Sequence, residues 1–277
     1  MPPSAAPPVP HLTDVHVHLG QWPFRRLPHD TLPALLTKLR GQNVTAAWVC
    51  SYEALLHRDL KAVNERLLEN CSRPDHEILK PIGAANLTLP HWEQDVEFCA
   101  KSAMRGVRIY PGQHSVPLDD GRFAALCDLC QEKSLVLQIV VRLEDSRTEH
   151  PQFASQPVAL KPALELIPNY PKLRILFSNP GREILPGLAS QLTRAGQVYF
   201  DLGMIEQTGG VAAYAKAVSP QRLVFGSHFP FFYFEAALLK LRENASQLGQ
   251  HALDLIAFQN AEHLFVPQST PRQSKAD

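Results

Sequence analysis

Eight short apolar runs recur along this chain, each followed by an amphipathic stretch, and that alternation restricts the folds open to it. The runs cover 13–18, 44–51, 79–86, 106–110, 135–141, 173–179, 198–202 and 223–227. They are rich in Val, Ile, Leu and Phe and poor in charge, as strands buried on both faces are. Helical periodicity fills the intervals, over 31–40, 60–70, 92–103, 122–133, 158–167, 184–195, 210–218 and 232–245. One strand with its helix takes on the order of 30 residues, the size of a βα repeat. Eight repeats predict an α/β fold, a (β/α)8 TIM barrel, as a single domain over residues 12–266. An extra C-terminal helix over 251–264 is expected to pack across the barrel bottom or side. A doubly wound sheet is the alternative. No GxGxxG follows the first strand and no GxxxxGK[ST] occurs, which argues against that sheet and against nucleotide binding.

A length of 277 residues suits one such barrel, and a hydrophobic content of 45% supplies its core. Basic and acidic residues balance at 27 each. There is thus no excess of basic charge for nucleic acid, and no apolar run reaches the ~20 residues of a membrane span. The expected partner is a small-molecule substrate, with a homo-oligomer left open. The Pro-rich segment 1–11 has neither the basic start nor the apolar centre of a secretory signal and reads as a flexible leader. Residues 267–277 read as a disordered tail. Five cysteines without regular spacing point to free thiols in a reducing, cytoplasmic compartment. Cys127 and Cys130 form a CxxC, but inside a helical pattern and without a second pair, so they are expected to be buried helix residues.

In a barrel of this kind, function is confined to the C-terminal strand ends and the loops after them. That rule selects His16, His18, Arg108, Tyr110, the stretch 142–147, Ser178, Asn179, Asp201, Ser227 and His228. The first strand carries the strongest signal. In Thr13-Asp-Val-His-Val-His18, a period of two places Asp14, His16 and His18 on one face and Val15 and Val17 on the other. Two imidazoles at i and i+2, with Cβ atoms ~7 Å apart, can converge on one divalent cation. The same spacing also suits two buried, hydrogen-bonded histidines.

Asp14-Val-His-Val-His-Leu-Gly20 resembles the opening motif of the amidohydrolase superfamily, in its amidohydrolase-related branch of metal-dependent hydrolases and non-oxidative decarboxylases. The resemblance continues through Gly106–Pro111, Val198–Asp201, Arg222–Pro230 and Asn260–Phe265, matching that branch's fourth, seventh and eighth strands and closing helix. It implies a barrel enzyme with a divalent metal, zinc by expectation, at the mouth. The sequence departs from the family at its other ligands. The fifth strand, Leu135–Arg142, has no histidine, Ser178 and Asn179 stand where a sixth-strand histidine is usual, and His228 replaces the eighth-strand aspartate.

Two readings follow. In one, His16, His18 and His228 form a three-histidine metal site, since three neutral imidazoles and a water suit catalytic zinc. Asp201, or Glu144 and Asp145, would then accept the proton. In the other, the metal is gone. His228 becomes a general acid/base, and Arg108, Arg142 and Arg147 grip an anionic group. Trp22, Arg25, Arg108, Tyr110, Arg142, Glu144 and Asn179 are the candidate substrate-binding residues, with Trp22 and Phe24 walling the pocket. His114 and His150 are weaker candidates for a missing ligand. Phe229–Phe234 is expected to pack under the last helix, and Asn260 and His263 to tie the closing helix to the barrel. The expected activity is hydrolysis of a small organic substrate through a metal-activated water. The alternatives are non-oxidative decarboxylation and a metal-free barrel with a binding role.

Overall fold

A computed structural model describes residues 11–265 of the chain. The leader expected over 1–11 and the tail expected over 267–277 lie, His11 apart, outside the described residues. Parallel strands run in the order β1 (Leu12–Leu19), β2 (Val44–Ser51), β3 (Leu79–Pro81), then β4 (Gly83–Ala84), β5 (Gly106–Ile109), β6 (Val136–Val140), β7 (Arg174–Ser178), β8 (Gln197–Asp201) and β9 (Leu223–Val224). β3 and β4 are successive halves of the third strand position. Across their junction Ile82 N donates to Val49 O at 2.9 Å and Arg105 N to Pro81 O at 2.9 Å, so the ladder passes from one sheet to the next. The other edges meet where Val15 N donates to Phe225 O and His18 N to Phe229 O, both at 2.9 Å, with a parallel bridge between Val17 and Phe229. The expected barrel is thereby closed.

Helices surround the strands at the expected places, among them Leu32–Gly41, Leu60–Cys71, Trp92–Lys101, Gly121–Glu132, Pro186–Ala195, Gly210–Val218 and Phe234–Glu243. The stretch 158–167 yields only the short helix Lys161–Leu166, with a 3-10 turn after it that contains Pro168. Cys127 and Cys130 are buried on Gly121–Glu132, and all five cysteines are free. The closing segment runs through a π turn at Leu255–Gln259. Within that turn Ile256 O accepts from Phe225 N at 2.8 Å, and this bond takes the place of further ladder pairing just after β9. Asn260 Nδ2 donates to Leu223 O and Pro220 O at 2.7 and 2.8 Å, the tie expected of it. His263 instead lies exposed. The segment therefore packs against the barrel where β9 meets β1. Among the described residues no helix is long and apolar enough to cross a membrane.

Two apolar clusters divide the molecule. One lies between strands and helices; the other, with Val15, Trp48, Val136, Leu176 and Val224, occupies the barrel interior. The alternation expected on β1 fails at Val15. Pairing with β2 shifts register between Asp14 and Val17, so Val17 meets the helices while Val15 joins the interior.

Candidate active site

β1 delivers His16 and His18, and the chain after β9 delivers His228. The backbone at His228 is left-handed, with φ at 58°, so the chain turns sharply as it leaves the barrel. One ring nitrogen from each of the three histidines lies within 4.8 Å of the others. None of the three residues is more than 1% exposed. Asp14 clasps the two segments that carry them, since its Oδ1 accepts from Ser227 N at 2.9 Å and from His16 N at 3.1 Å, and its Oδ2 accepts from the Ser227 hydroxyl. Burial pushes the Asp14 pKa up to about 7.

Hydrogen-bond direction settles which nitrogens are free. Leu143 O can only accept, so His228 Nε2 donates to it and Nδ1 keeps a lone pair. Asp201 Oδ1 accepts from Asn179 N at 2.9 Å and Gly203 N at 3.1 Å. These bonds, with the Ser178 hydroxyl, favour the carboxylate against the upward push of burial on its pKa. Oδ2 then accepts a hydrogen bond from His16 Nδ1, at 2.9 Å, and His16 Nε2 keeps a lone pair as well. The two lone pairs face each other at 3.0 Å. A cation between them relieves that opposition, and a carboxylate behind one histidine and a carbonyl behind the other is the usual setting of metal-binding imidazoles. Burial, as the largest influence, holds all three histidines well below their usual pKa, in the neutral form that binds metal. These residues fit a divalent metal.

His18 Nε2 lies 3.4 Å from an Arg108 terminal nitrogen and 3.3 Å from the Tyr110 hydroxyl, while its Nδ1 is buried without a partner among the described residues. Arg108 was expected to hold a ligand, but it is fully buried and its donors are used within the barrel. They reach Val17 O at 3.2 Å, Val15 O and Trp48 O at 3.4 Å, and Gln138 Oε1 at 2.9 Å. Because Arg108 can only donate, the Gln138 amide is oriented with Nε2 toward Ser178 Oγ, 2.7 Å away. Gln138 and Ser178 thus form a polar chain where the resemblance leads one to look for histidines. Arg142, also expected to bind substrate, is paired with Glu183, and its carbonyl accepts from Asn179 Nδ2 at 2.7 Å.

Aromatic rings wall the cluster. Tyr52 stacks on His18 at 4.9 Å and Phe231 on His228 at 5.0 Å, while Trp22 stands edge-on to Phe231 at 5.1 Å. The aromatic run after His228 is therefore divided: Phe231 and Phe232 face the histidines, while Phe229 and Phe234 pack in the core. Phe24 stacks on His150 at 4.7 Å and on Phe153 at 5.4 Å, joining the loops after β1 and β6 over the site. His150 is thus part of that cover, and His114 lies against Tyr110, 5.9 Å away. Beneath the cover Arg25 pairs with Glu144, whose side chain is 3% exposed against 36% for Arg25. Burial raises the Glu144 pKa, and Arg25 and the neighbouring Trp22 indole offset part of the rise. The Tyr52 hydroxyl is buried without a partner among the described residues. Clefts of about 310 and 530 Å³ share Gly181, Arg182, Met204 and Glu206, beyond the ends of β7 and β8.

Sequence reasoning missed Gln138, Tyr52 and Phe231. Gln138 left a trace, a lone amide inside Val136-Leu-Gln-Ile-Val140 that a fully buried strand does not carry without a partner.

The sequence model of the family described as Amidohydrolase matches residues 13–265. No curated protein matches the chain. Among solved structures it is similar to 5-carboxyvanillate decarboxylase from Sphingomonas paucimobilis, with a TM-score of 0.71 and 12% identity over 94% of this chain and 100% of that one. It is similar to 2,6-dihydroxybenzoate decarboxylase from Rhizobium, with a TM-score of 0.69 and 14% identity over 91% and 99%. A third is a dihydroxybenzoic acid decarboxylase from Polaromonas, solved with manganese and the inhibitor 2-nitroresorcinol, at 0.68 and 14% over 91% and 97%. At these identities the likeness is one of fold.

Proposed function

The chain belongs to the amidohydrolase family, and from that premise we propose that it is a metal-dependent carboxy-lyase acting on a small, flat organic acid. One observation carries the choice of lyase over hydrolase. Both carboxylates touching the histidine cluster are committed, Asp14 to clasping two segments and Asp201 to orienting His16, and burial biases the remaining one, Glu144, toward the protonated acid, a proton donor and not a base for an attacking water. The similar solved structures named as decarboxylases of hydroxylated aromatic acids support the same reading.

His16, His18 and His228 would hold the metal, zinc or manganese. When bound, it acts as a Lewis acid on a substrate oxygen. The remaining work falls to this chain's own side chains. Tyr52, Phe231 and Trp22 surround the histidines with aromatic surface suited to an unsaturated ring, and the Tyr52 hydroxyl, without a partner among the described residues, offers a hydrogen bond to a ring oxygen. Arg25, 5.8 Å from the Phe231 ring centre, presents a guanidinium fork suited to the substrate carboxylate. As Arg25 turns to that carboxylate, Glu144 loses its counter-ion, and its burial then favours the protonated form. The bond to the carboxylate breaks with its electron pair left on the ring carbon, carbon dioxide leaves, and the proton that Glu144 took from water on losing Arg25 passes to that carbon. Arg25 then returns to Glu144.

The test is a panel of hydroxylated aromatic and unsaturated acids, offered to protein loaded with manganese or zinc and assayed for carbon dioxide. Release that vanishes in Glu144→Gln, with metal retained, is the expected result. Hydrolysis of amides or lactones with no carbon dioxide from any acid would overturn it.

A further inference from the structure

The carboxylate behind His16 is itself held from a distance. Asp201 ends β8, and the turn after it doubles back so that Gly203 N donates to Asp201 Oδ1 at 3.1 Å. That turn has no room to relax toward β7. A Cβ on Gly203 would lie 2.3 Å from Asn179 Oδ1, and Asn179 N is the second donor to Asp201 Oδ1, at 2.9 Å. The outer side of the turn is closed by a residue from another element. Lys240, on the helix Phe234–Glu243, extends its ammonium to Gly203 O at 2.7 Å. It is half-buried among Glu206, Asp201 and Glu243, and the 2.7 Å bond to a backbone carbonyl is its direct contact. A lysine that merely covered the surface would keep its charge in water.

We infer that Lys240 is a positioning residue for the metal site, clamping the Gly203 turn so that Asp201 holds His16 with Nε2 turned toward His228. The inference rests on the three-histidine reading above. Its physical content is a chain of bonds from helix to ligand: Lys240 Nζ to Gly203 O, Gly203 N to Asp201 Oδ1, Asp201 Oδ2 to His16 Nδ1, and His16 Nε2 facing His228. Groups that orient metal-binding histidines typically cost 10- to 100-fold in metal affinity when removed, and Lys240 acts one bond further out. An effect of about tenfold is expected.

The experiment measures the affinity of the full chain for zinc and for manganese by competition with a chromophoric chelator, alongside the melting temperature of chelator-stripped protein. Lys240→Met should weaken metal binding about tenfold. Lys240→Arg, which can still donate to Gly203 O, should recover most of it, while the stripped variants melt close to the stripped wild type. Gly203→Ala, which disturbs the same turn from the opposite side, should weaken metal binding in parallel. Unchanged affinity in Lys240→Met, with tight binding by the wild type, would overturn the clamp and leave the metal site standing. Equal weakening in Lys240→Met and Lys240→Arg would also overturn it. A wild-type protein that binds neither metal would overturn the three-histidine reading itself.

Discussion

At the scale of single residues, the site is defined by which atoms can donate. His228 Nε2 must donate because a carbonyl faces it, and His16 Nδ1 donates because Asp201 is a carboxylate bonded by two backbone amides. Asp201→Asn is the change that interrogates this arrangement. An amide placed there turns its NH2 group toward a donor on one side or the other, so His16 is forced to the wrong tautomer or the turn after β8 opens. Metal affinity should fall about 10- to 100-fold, read by chelator competition, while circular dichroism shows a folded barrel. An Asp201→Asn protein with undiminished affinity would show that the tautomer of His16 does not depend on this carboxylate.

At the scale of elements, the strands matter through what they bring within reach. The chain leaving β9 approaches β8 closely because Gly226 has no side chain. A Cβ there would lie 2.7 Å from Asp201 Cβ. Gly226→Ala should therefore cost about 1–3 kcal/mol of stability by overpacking, measured by urea unfolding, and an unchanged midpoint would contradict that close approach. Much of this level was legible in the sequence. Apolar runs bounded by amphipathic stretches marked every strand position, because a strand buried on both faces cannot carry charge without a partner. Paired histidines on β1 and a third after β9 were legible as a cluster through barrel closure. What escaped were features that depend on neighbours from distant parts of the chain. Val15 turns inward through a bulge that alternation alone does not reveal. Arg108 read as a ligand-binding arginine because its carbonyl partners on β1 and β2 leave no mark in its own strand. Phe231 and Phe232 were separable from Phe229 and Phe234 only once the direction of the chain after His228 was known.

For the molecule as a whole, burying titratable groups ties stability to pH. His114, beside the barrel end of β5, has its pKa lowered by burial from 6.5 to about 4. The folded chain therefore keeps this ring neutral where the unfolded chain would protonate it. Its contribution is fully present above pH 6.5 and is lost as pH falls from there toward 4, amounting to about 3 kcal/mol over that window. Urea midpoints measured from pH 7.5 to 4 should fall accordingly, and His114→Gln should remove that share of the slope. Equal slopes in variant and wild type would contradict it.

The central claim is that two histidines from the first strand and one from the chain just after the last share a single metal ion. Elemental analysis of protein purified without added metal tests it most directly, on the wild type and on His16→Ala and His228→Ala. The account predicts close to one equivalent of a divalent transition metal per wild-type chain, and comparable loss of it in both variants. A His228→Ala protein that keeps full occupancy, or a metal-free wild type with full activity, would contradict it.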